Sequence, residues 1–384
     1  MSRLTRQAMH FRYFLGGSTA ARELSAADLK LPFRVSPEEE HPFLTLKDYF
    51  SALEQFVAAD NEKILRGALA QPGTDPADFF EARLYSEKHG AFYHIARVVL
   101  CGLRENKEFA ITTALAESSR KTLAGEYSLL RKLGAGNPGY FPEVYGLENV
   151  RQKTAGGTGE YLMLLGEWLD GFHEWHLGGP APVRINLWDS DHGHRFLSAA
   201  ESFELLRQAA AILTRCYDQE SFCQVYPWHH GAGDFVARSG GGEISVKLIT
   251  ARRHTPLVHF EQAGEGDRLV AAIHFLLNLA IRMRLDRRDG VGEPLWFDAW
   301  AAAATVAGFF AGLAESSEKD RLKIGTVEGF LQLMQSFDVE ELHDMHGSLL
   351  EIYRDEDEDD YRLIRAKLAG HAAELHAALQ GFSL

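Results

Sequence analysis

The residues with the greatest chemical capacity lie at 226–236, in the order Tyr226-Pro227-Trp228-His229-His230-Gly231-Ala232-Gly233-Asp234-Phe235-Val236. An imidazole titrates near neutral pH and can accept a proton. Asp234, five residues after His229, offers a hard oxygen ligand for a divalent cation. Taken alone, the stretch suggests a histidine-based catalytic or metal site. Two adjacent side chains point in different directions in most backbones, so His229 and His230 are not expected to clamp one ion. The plainer role weighs about equally: Trp228 and the two histidines as packed, hydrogen-bonded loop residues, and Asp234 as a brace for the turn. Asp189, Asp191, His192 and His194 also carry metal-capable atoms, but their clustering in a polar insert is more simply a solvated loop. The three cysteines, Cys101, Cys216 and Cys223, are odd in number and lack metal-ligand spacing. They are expected to be buried or idle thiols in a reducing compartment.

Several elements must position the 226–236 stretch. A long helix is expected over 198–219, before it. A strand-like run at 243–250 follows it, after the glycine-rich turn 239–242. Further upstream, 92–100 and 109–113 are rich in aromatic and β-branched residues and flank a polar hairpin at 104–108. A helix over 120–133 stops at the breaker cluster 134–139. Two more strands are expected at 143–147 and 161–165, around the turn Gly156-Gly157-Thr158-Gly159. The order β-β-β-α-β-β implies an antiparallel sheet with one inserted helix. After residue 171 the chain turns mainly helical, with helices expected over 267–285, 295–314 and from 326 onward, and with 178–196 as an irregular insert. Before the sheet, residues 1–40 are expected to form an extended, partly ordered arm. A helix then begins at Thr45, which can cap it, with Asp48 in its first turn. Leu46, Tyr49, Phe50, Leu53, Phe56 and Val57 recur on one face. A second short helix is expected over 62–70.

Composition sets the remaining bounds. A chain of 384 residues suits one two-part unit or two domains, and 46% apolar content supports a sizeable core. The net charge of −14, from 54 acidic and 40 basic residues, argues against nonspecific nucleic-acid binding. The N-terminus lacks the apolar stretch of a signal peptide. The apolar runs 269–281 and 299–314 are shorter than a membrane span, and buried helices are expected there. A cytoplasmic protein without membrane partners follows as the expectation.

The order of elements resembles the protein-kinase-like superfamily, which includes eukaryotic-type kinases and the aminoglycoside and choline phosphotransferases. The resemblance covers roughly residues 80–315. Glu167-Trp168-Leu169-Asp170-Gly171 is similar to the hinge that joins the two lobes and lines the adenine pocket. Glu126 stands where the N-lobe helix carries its glutamate. Phe109-Ala110-Ile111-Thr112 resembles the strand ending in the phosphate-holding lysine, with Thr112 in the lysine position. Gly90 stands at the glycine-rich loop, as one glycine where the family has several. The 226–236 stretch aligns with the catalytic loop: His229 takes the place of the catalytic aspartate and Asp234 that of the metal-binding asparagine. Thr250 takes the place of the aspartate in the Asp-Phe-Gly metal motif.

This resemblance implies an α+β, bilobal protein-kinase-like fold: an N-terminal arm and helical extension (1–79), a small antiparallel-sheet N-lobe with one helix (80–170), and a larger helical C-lobe (171–384). It implies ATP with Mg²⁺ as the cofactor, with Gly90, Lys88, Glu126, Glu167, Leu169 and Thr250 around the nucleotide and Asp234 on the metal. A threonine cannot replace a charge, so losing the lysine and the aspartate implies a pseudokinase, a binding or regulatory module for a protein partner or small-molecule ligand. Lys88 or Lys121 could supply the missing cation, Lys88 from the loop strand as in the with-no-lysine kinases. An active phosphotransferase would then use His229 as base and Asp234 on the metal. A purely structural interaction protein is the third expectation. Convergence of Lys88, His229 and Asp234 favours the enzyme, whereas Trp228 or Arg252 filling the phosphate space disfavours it.

Overall fold

The protein is described by a computed structural model. It covers residues 9–16, 21–34, 39–58, 62–69, 78–90, 92–154, 156–189, 192–230, 233–260, 264–290, 292–319 and 322–384. The fold is mixed α+β. The chain divides into two compact units, one of Met1–Lys132 and Pro142–Asp170, the other of Leu133–Phe141 and Gly171–Leu384.

The first unit contains, in chain order, β1 (His10–Leu15), β2 (Arg22–Glu23), β3 (Pro32–Arg34), β4 (Glu40–Thr45), α1 (Leu46–Ala58), α2 (Glu62–Ala68), β5 (Phe79–His89), β6 (His94–Gly102) and β7 (Asn106–Ala114). These are followed by α3 (Glu117–Gly136, its last residues belonging to the second unit), β8 (Val144–Thr154) and β9 (Gly157–Glu167). Seven strands form one sheet in the order β2-β1-β5-β6-β7-β9-β8. All neighbours are antiparallel except β1 and β5, which run parallel with His10 opposite Glu81.

That pair corrects the expectation of an extended arm and of a purely antiparallel sheet. Residues 10–15 enter the sheet, and β3 and β4 form a separate hairpin leading into α1. The segment before residue 80 therefore packs as part of the first unit rather than as an appendage to it. Thr45 caps α1 as expected: its hydroxyl accepts the Asp48 N–H at 3.3 Å, and the Asp48 carboxylate accepts the Thr45 N–H at 2.8 Å. The expected apolar face of α1 is buried in full, with Leu46, Tyr49, Phe50, Leu53, Phe56 and Val57 all inside. They pack with Leu84, Val98, Leu100, Ile111, Met163 and Leu165 of the sheet. Each such side chain contributes about 1.5–3 kcal/mol by leaving water. Leu123 of α3 packs with Ala114 and Leu164 in a smaller apolar cluster.

The second unit is richer in helix. It contains β10 (Trp175–Gly178), β11 (Arg184–Leu187), β12 (Arg195–Phe196), α4 (Ala199–Arg215), β13 (Cys223–Val225), β14 (Phe235–Gly240), β15 (Glu243–Leu248) and β16 (His254–Pro256). Then come α5 (Glu265–Arg282), β17 (Leu285–Arg287), β18 (Pro294–Trp296), α6 (Trp300–Lys319), α7 (Val327–Ser336), α8 (Val339–Met345), α9 (Gly347–Glu356) and α10 (Glu358–Gln380). The 178–196 insert is not irregular, because β10, β11 and β12 pair in a three-stranded sheet with the inward residues Trp175, Leu177, Ile185 and Leu187 buried. The helices α4 and α6 approach closely along small residues. A Cβ on Gly312 would lie 2.6 Å from the Ala211 carbonyl oxygen, so only glycine fits that contact. Among the described residues, no helix is long and apolar enough to cross a membrane.

Candidate functional site

In the second unit, the 226–236 stretch links β13 to β14 and is held mostly inside. Tyr226, Trp228, His230 and Phe235 are buried, and Trp228 meets Phe235 edge-on with ring centroids 6.0 Å apart. Arg282, from the end of α5, is buried and donates to the Trp228 carbonyl at 2.6 Å. The rings of Tyr226, Trp228 and Tyr353 lie 5.7–6.0 Å from its guanidinium carbon. This cation among three aromatic faces anchors the loop by charge–quadrupole attraction in a dry setting.

Asp234 is only 1% exposed. One carboxylate oxygen accepts the His229 backbone N–H at 2.9 Å and an Arg252 N–H at 3.0 Å. The other lies 2.7 Å from the second Arg252 terminal nitrogen. Burial pushes the Asp234 carboxyl up, and Arg252 and the backbone donor pull it back. The Ile249 N–H donates to the Asp234 carbonyl at 2.8 Å, tying the loop to the end of β15. Thr250 follows β15 and is half-buried. Gly233 has φ +73°, a left-handed conformation that favours glycine, so the turn before Asp234 is set by its backbone. Gly231 and Ala232 lie outside the described residues.

The expectation that Asp234 serves a metal is therefore not met by its surroundings. Its negative charge is matched by a guanidinium, and both oxygens are engaged. A divalent cation at this carboxylate would have to displace Arg252. The residues present do not fit Mg²⁺. Among the described residues, no group of three or more His, Cys, Asp or Glu side chains is arranged to hold a metal ion.

His229 faces a different acid, one without a signature in the sequence. Its Nδ1 lies 3.8 Å from Asp286 Oδ1. Asp286, on β17, is buried and accepts the Leu177 N–H at 2.6 Å and the Arg287 N–H at 2.7 Å. Burial pushes this carboxyl up to about 7, and the two backbone donors lower it only in part. Burial, and next His230, hold His229 well below its ordinary value, so its ring is neutral at pH 7. The His229 and His230 rings stack with centroids 5.6 Å apart. His230 is fully enclosed and lowered to about 3, first by burial and then by His176 and Arg282. In the insert, Asp189 lies 3.7 Å from His173 and 3.1 Å from His192, so it is a paired residue rather than a solvated one. His194 packs beside Trp188, and Asp191 is outside the described residues.

The first unit holds the other expected residues. Glu126 is buried, only 3% exposed, although nothing in its helix pattern marks it as an interior acid. The Tyr93 hydroxyl donates to it at 2.9 Å. Tyr93 comes just before β6, three residues after Gly90, whose N–H donates to the Tyr93 carbonyl at 2.8 Å. Thr112 sits on β7 opposite Ile95 and Leu164. Lys88 lies on β5 next to a register irregularity, and its side chain lies outside what is described. Lys121 pairs with Glu117 at 2.7 Å on the exposed face of α3. Glu167 ends β9, with its carboxylate accepting the Glu143 N–H at 3.1 Å and its own N–H donating to the Glu143 carbonyl at 2.8 Å. Leu169 follows it, half-buried.

Three residues of consequence carried little signal beforehand. Arg282 follows directly on the apolar run 269–281, and a charge at that position is the one sequence cue to a buried cation. Asp286 lies in the polar string Arg284-Leu285-Asp286-Arg287, which resembles a surface turn. Tyr93 was hidden inside an aromatic strand pattern. No family model and no curated protein matches the chain.

Proposed function

We propose that the chain is a protein-kinase-like protein with a degenerate phosphotransfer site, its sheet-rich and helix-rich units serving as the two lobes. It acts as a binding or regulatory module, with Glu167 and Leu169 as the segment that would contact a nucleotide base. The observation that carries this reading is the engagement of Asp234 by Arg252. Phosphoryl transfer depends on a metal held by hard oxygens and a cation on the phosphates. Here the acid at the metal position is neutralised by the protein's own guanidinium. In the first unit, the helix glutamate Glu126 is bonded by a phenol, and Thr112 stands in the lysine position.

Isothermal titration with ATP, with Mg²⁺ and then with a chelator, together with a phosphotransfer assay, tests this. The expected result is nucleotide affinity indifferent to Mg²⁺ and no phosphotransfer. Robust ATP turnover that Asp234→Ala abolishes would sink the reading.

One observation favours a second reading, an active noncanonical phosphotransferase acting on a protein or small-molecule hydroxyl. His229 is neutral, partly accessible, and close to an acid that titrates near neutrality. In that reading His229 takes the hydroxyl proton and Asp286 steadies the imidazolium that results. A pH–rate profile that collapses in His229→Gln would support it.

A further inference from the structure

The first unit contains a cavity of about 610 Å³ that none of the residues above explains. That volume suits a drug-sized molecule. Its walls come from parts of the chain that are distant in sequence: the N-terminal β3–β4 hairpin, the starts of β6, α3 and β9, and the end of β7. The Glu167 segment lies at the opposite end of β9, eight residues from Gly159, or roughly 26 Å at about 3.3 Å per strand residue. The cavity is thus apart from the Glu167 segment, although its wall residue Tyr93 touches Gly90 and Glu126, and its assignment does not rest on the kinase-like reading.

Its lining has a definite chemistry. Phe33, Phe43, Phe92 and Tyr93 supply aromatic surface. Phe43 is 37% exposed and Phe92 50%, which leaves large apolar area in water that an occupant would cover. Phe43 also packs on Gly156 and Gly157, where a Cβ would collide with its ring, so the β8–β9 turn is shaped to seat it. Deeper in, His94 is bonded through Nε2 to the Ser86 hydroxyl at 2.9 Å and sits edge-on to Phe33.

The charge in the cavity centres on Arg120, in the first turn of α3. Its guanidinium bonds the Leu115 carbonyl and lies 3.1 Å from Glu160. Glu160 also pairs at 3.0 Å with Arg151, which is outside the cavity wall, so Arg120 is not the sole partner of that carboxylate. The positive end of α3 adds to this field. His41, on the wall, is lowered by burial and is neutral. Glu39, exposed on the rim, opposes a second negative charge on any occupant.

We propose that this cavity is a binding site for a small aromatic molecule carrying a single negative charge, its rings among Phe33, Phe43, Phe92 and Tyr93 and its anionic group on Arg120. Two fluorescent probes of nearly the same shape test it on the full chain: anilinonaphthalene sulfonate, which carries one negative charge, and uncharged phenylnaphthylamine. Ala116→Trp, at a helix start with no side-chain cap to lose, fills the cavity and is expected to weaken both probes by about tenfold or more. Thr158→Trp fills it from the opposite wall and serves if the first variant is unstable to heat. Arg120→Gln is expected to weaken the sulfonate about tenfold and leave the uncharged probe within about twofold, with Arg120→Lys recovering most of the loss. Probe binding unchanged by both filling variants overturns the site. Equal weakening of the two probes by Arg120→Gln overturns the anionic part of the assignment.

Discussion

Glu126 and Asp234 are both carboxylates withdrawn from water, at 3% and 1% exposure, yet the two units hold them by different means. Glu126 receives a phenol hydroxyl from Tyr93. Asp234 receives a guanidinium from Arg252 along with a backbone N–H. A neutral donor offsets part of the desolvation of an acid without matching its charge, so removing it costs one hydrogen bond. A guanidinium offsets more, and removing it strands an anion in the interior. The two acids should therefore respond very differently to loss of their partners.

The largest effect is expected from Arg252→Met, which leaves the Asp234 charge with the His229 N–H and the weaker field of Arg282. Urea unfolding should show a loss of about 3–5 kcal/mol. Adding Asp234→Asn should recover most of it, because no buried charge then remains. A cost below about 1 kcal/mol for the single variant would mean the pair is not what holds the loop.

Next in size is the pH response of Asp286, another buried acid, whose hydrogen bonds come from backbone N–H groups. Its carboxyl is raised from 3.8 to about 7, so the folded state binds this proton more tightly than the unfolded chain. The resulting stabilisation is full below pH 4 and is lost as pH rises through 7. It amounts to about 4 kcal/mol at about 1.4 kcal/mol per pH unit. His229 contributes with the opposite sign, since its depressed value makes the folded state lose stability as pH falls below 6.5. Subtracting the stability–pH curve of Asp286→Asn from that of the wild type isolates the carboxyl. A flat difference between pH 4 and 7 would show that Asp286 is ionised throughout.

Tyr93→Phe removes one neutral donor from Glu126 and should cost about 1–2 kcal/mol, well under the Arg252 effect. A cost equal to that of Arg252→Met would erase the contrast between the units. The smallest effects belong to the helix starts. Thr45 caps α1, and Ser198 caps α4 by accepting the Glu201 N–H at 3.3 Å. Changing each to alanine should cost about 1 kcal/mol, measured by hydrogen exchange in the first turn of each helix.

The parts legible in the sequence were those specified locally. The α1 stripe and its Thr45 cap follow from 3.6-residue periodicity and a polar residue at the start, and the structure shows both. The 92–100 and 109–113 runs are strands because β-branched and aromatic residues pack on a pleated surface, although β6 begins and ends two residues later than expected and β7 extends beyond both expected ends. Long-range partnerships were the illegible part. Nothing within 10–15 indicates that it pairs with 81–86. The 178–196 stretch carries glycines and prolines that mark turns, yet its short strands are set by pairing with one another. At the site, Arg252 was legible only as a side chain that could fill the phosphate space, not as the partner of Asp234, and Asp286 could not be told from a surface turn residue. Burial is a tertiary property, and a lone acid after a helix has no periodicity to reveal it.

The parallel pairing of β1 with β5 has a consequence for synthesis. β1 leaves the ribosome first, but the strand it must pair with emerges about seventy residues later. At roughly 5–20 residues per second, the edge carrying Phe11, Tyr13 and Phe14 waits about 4–14 s for its neighbour. During that interval the edge of β1 that faces β5 is open, while its other edge already has β2 available to pair with Phe14 and Leu15.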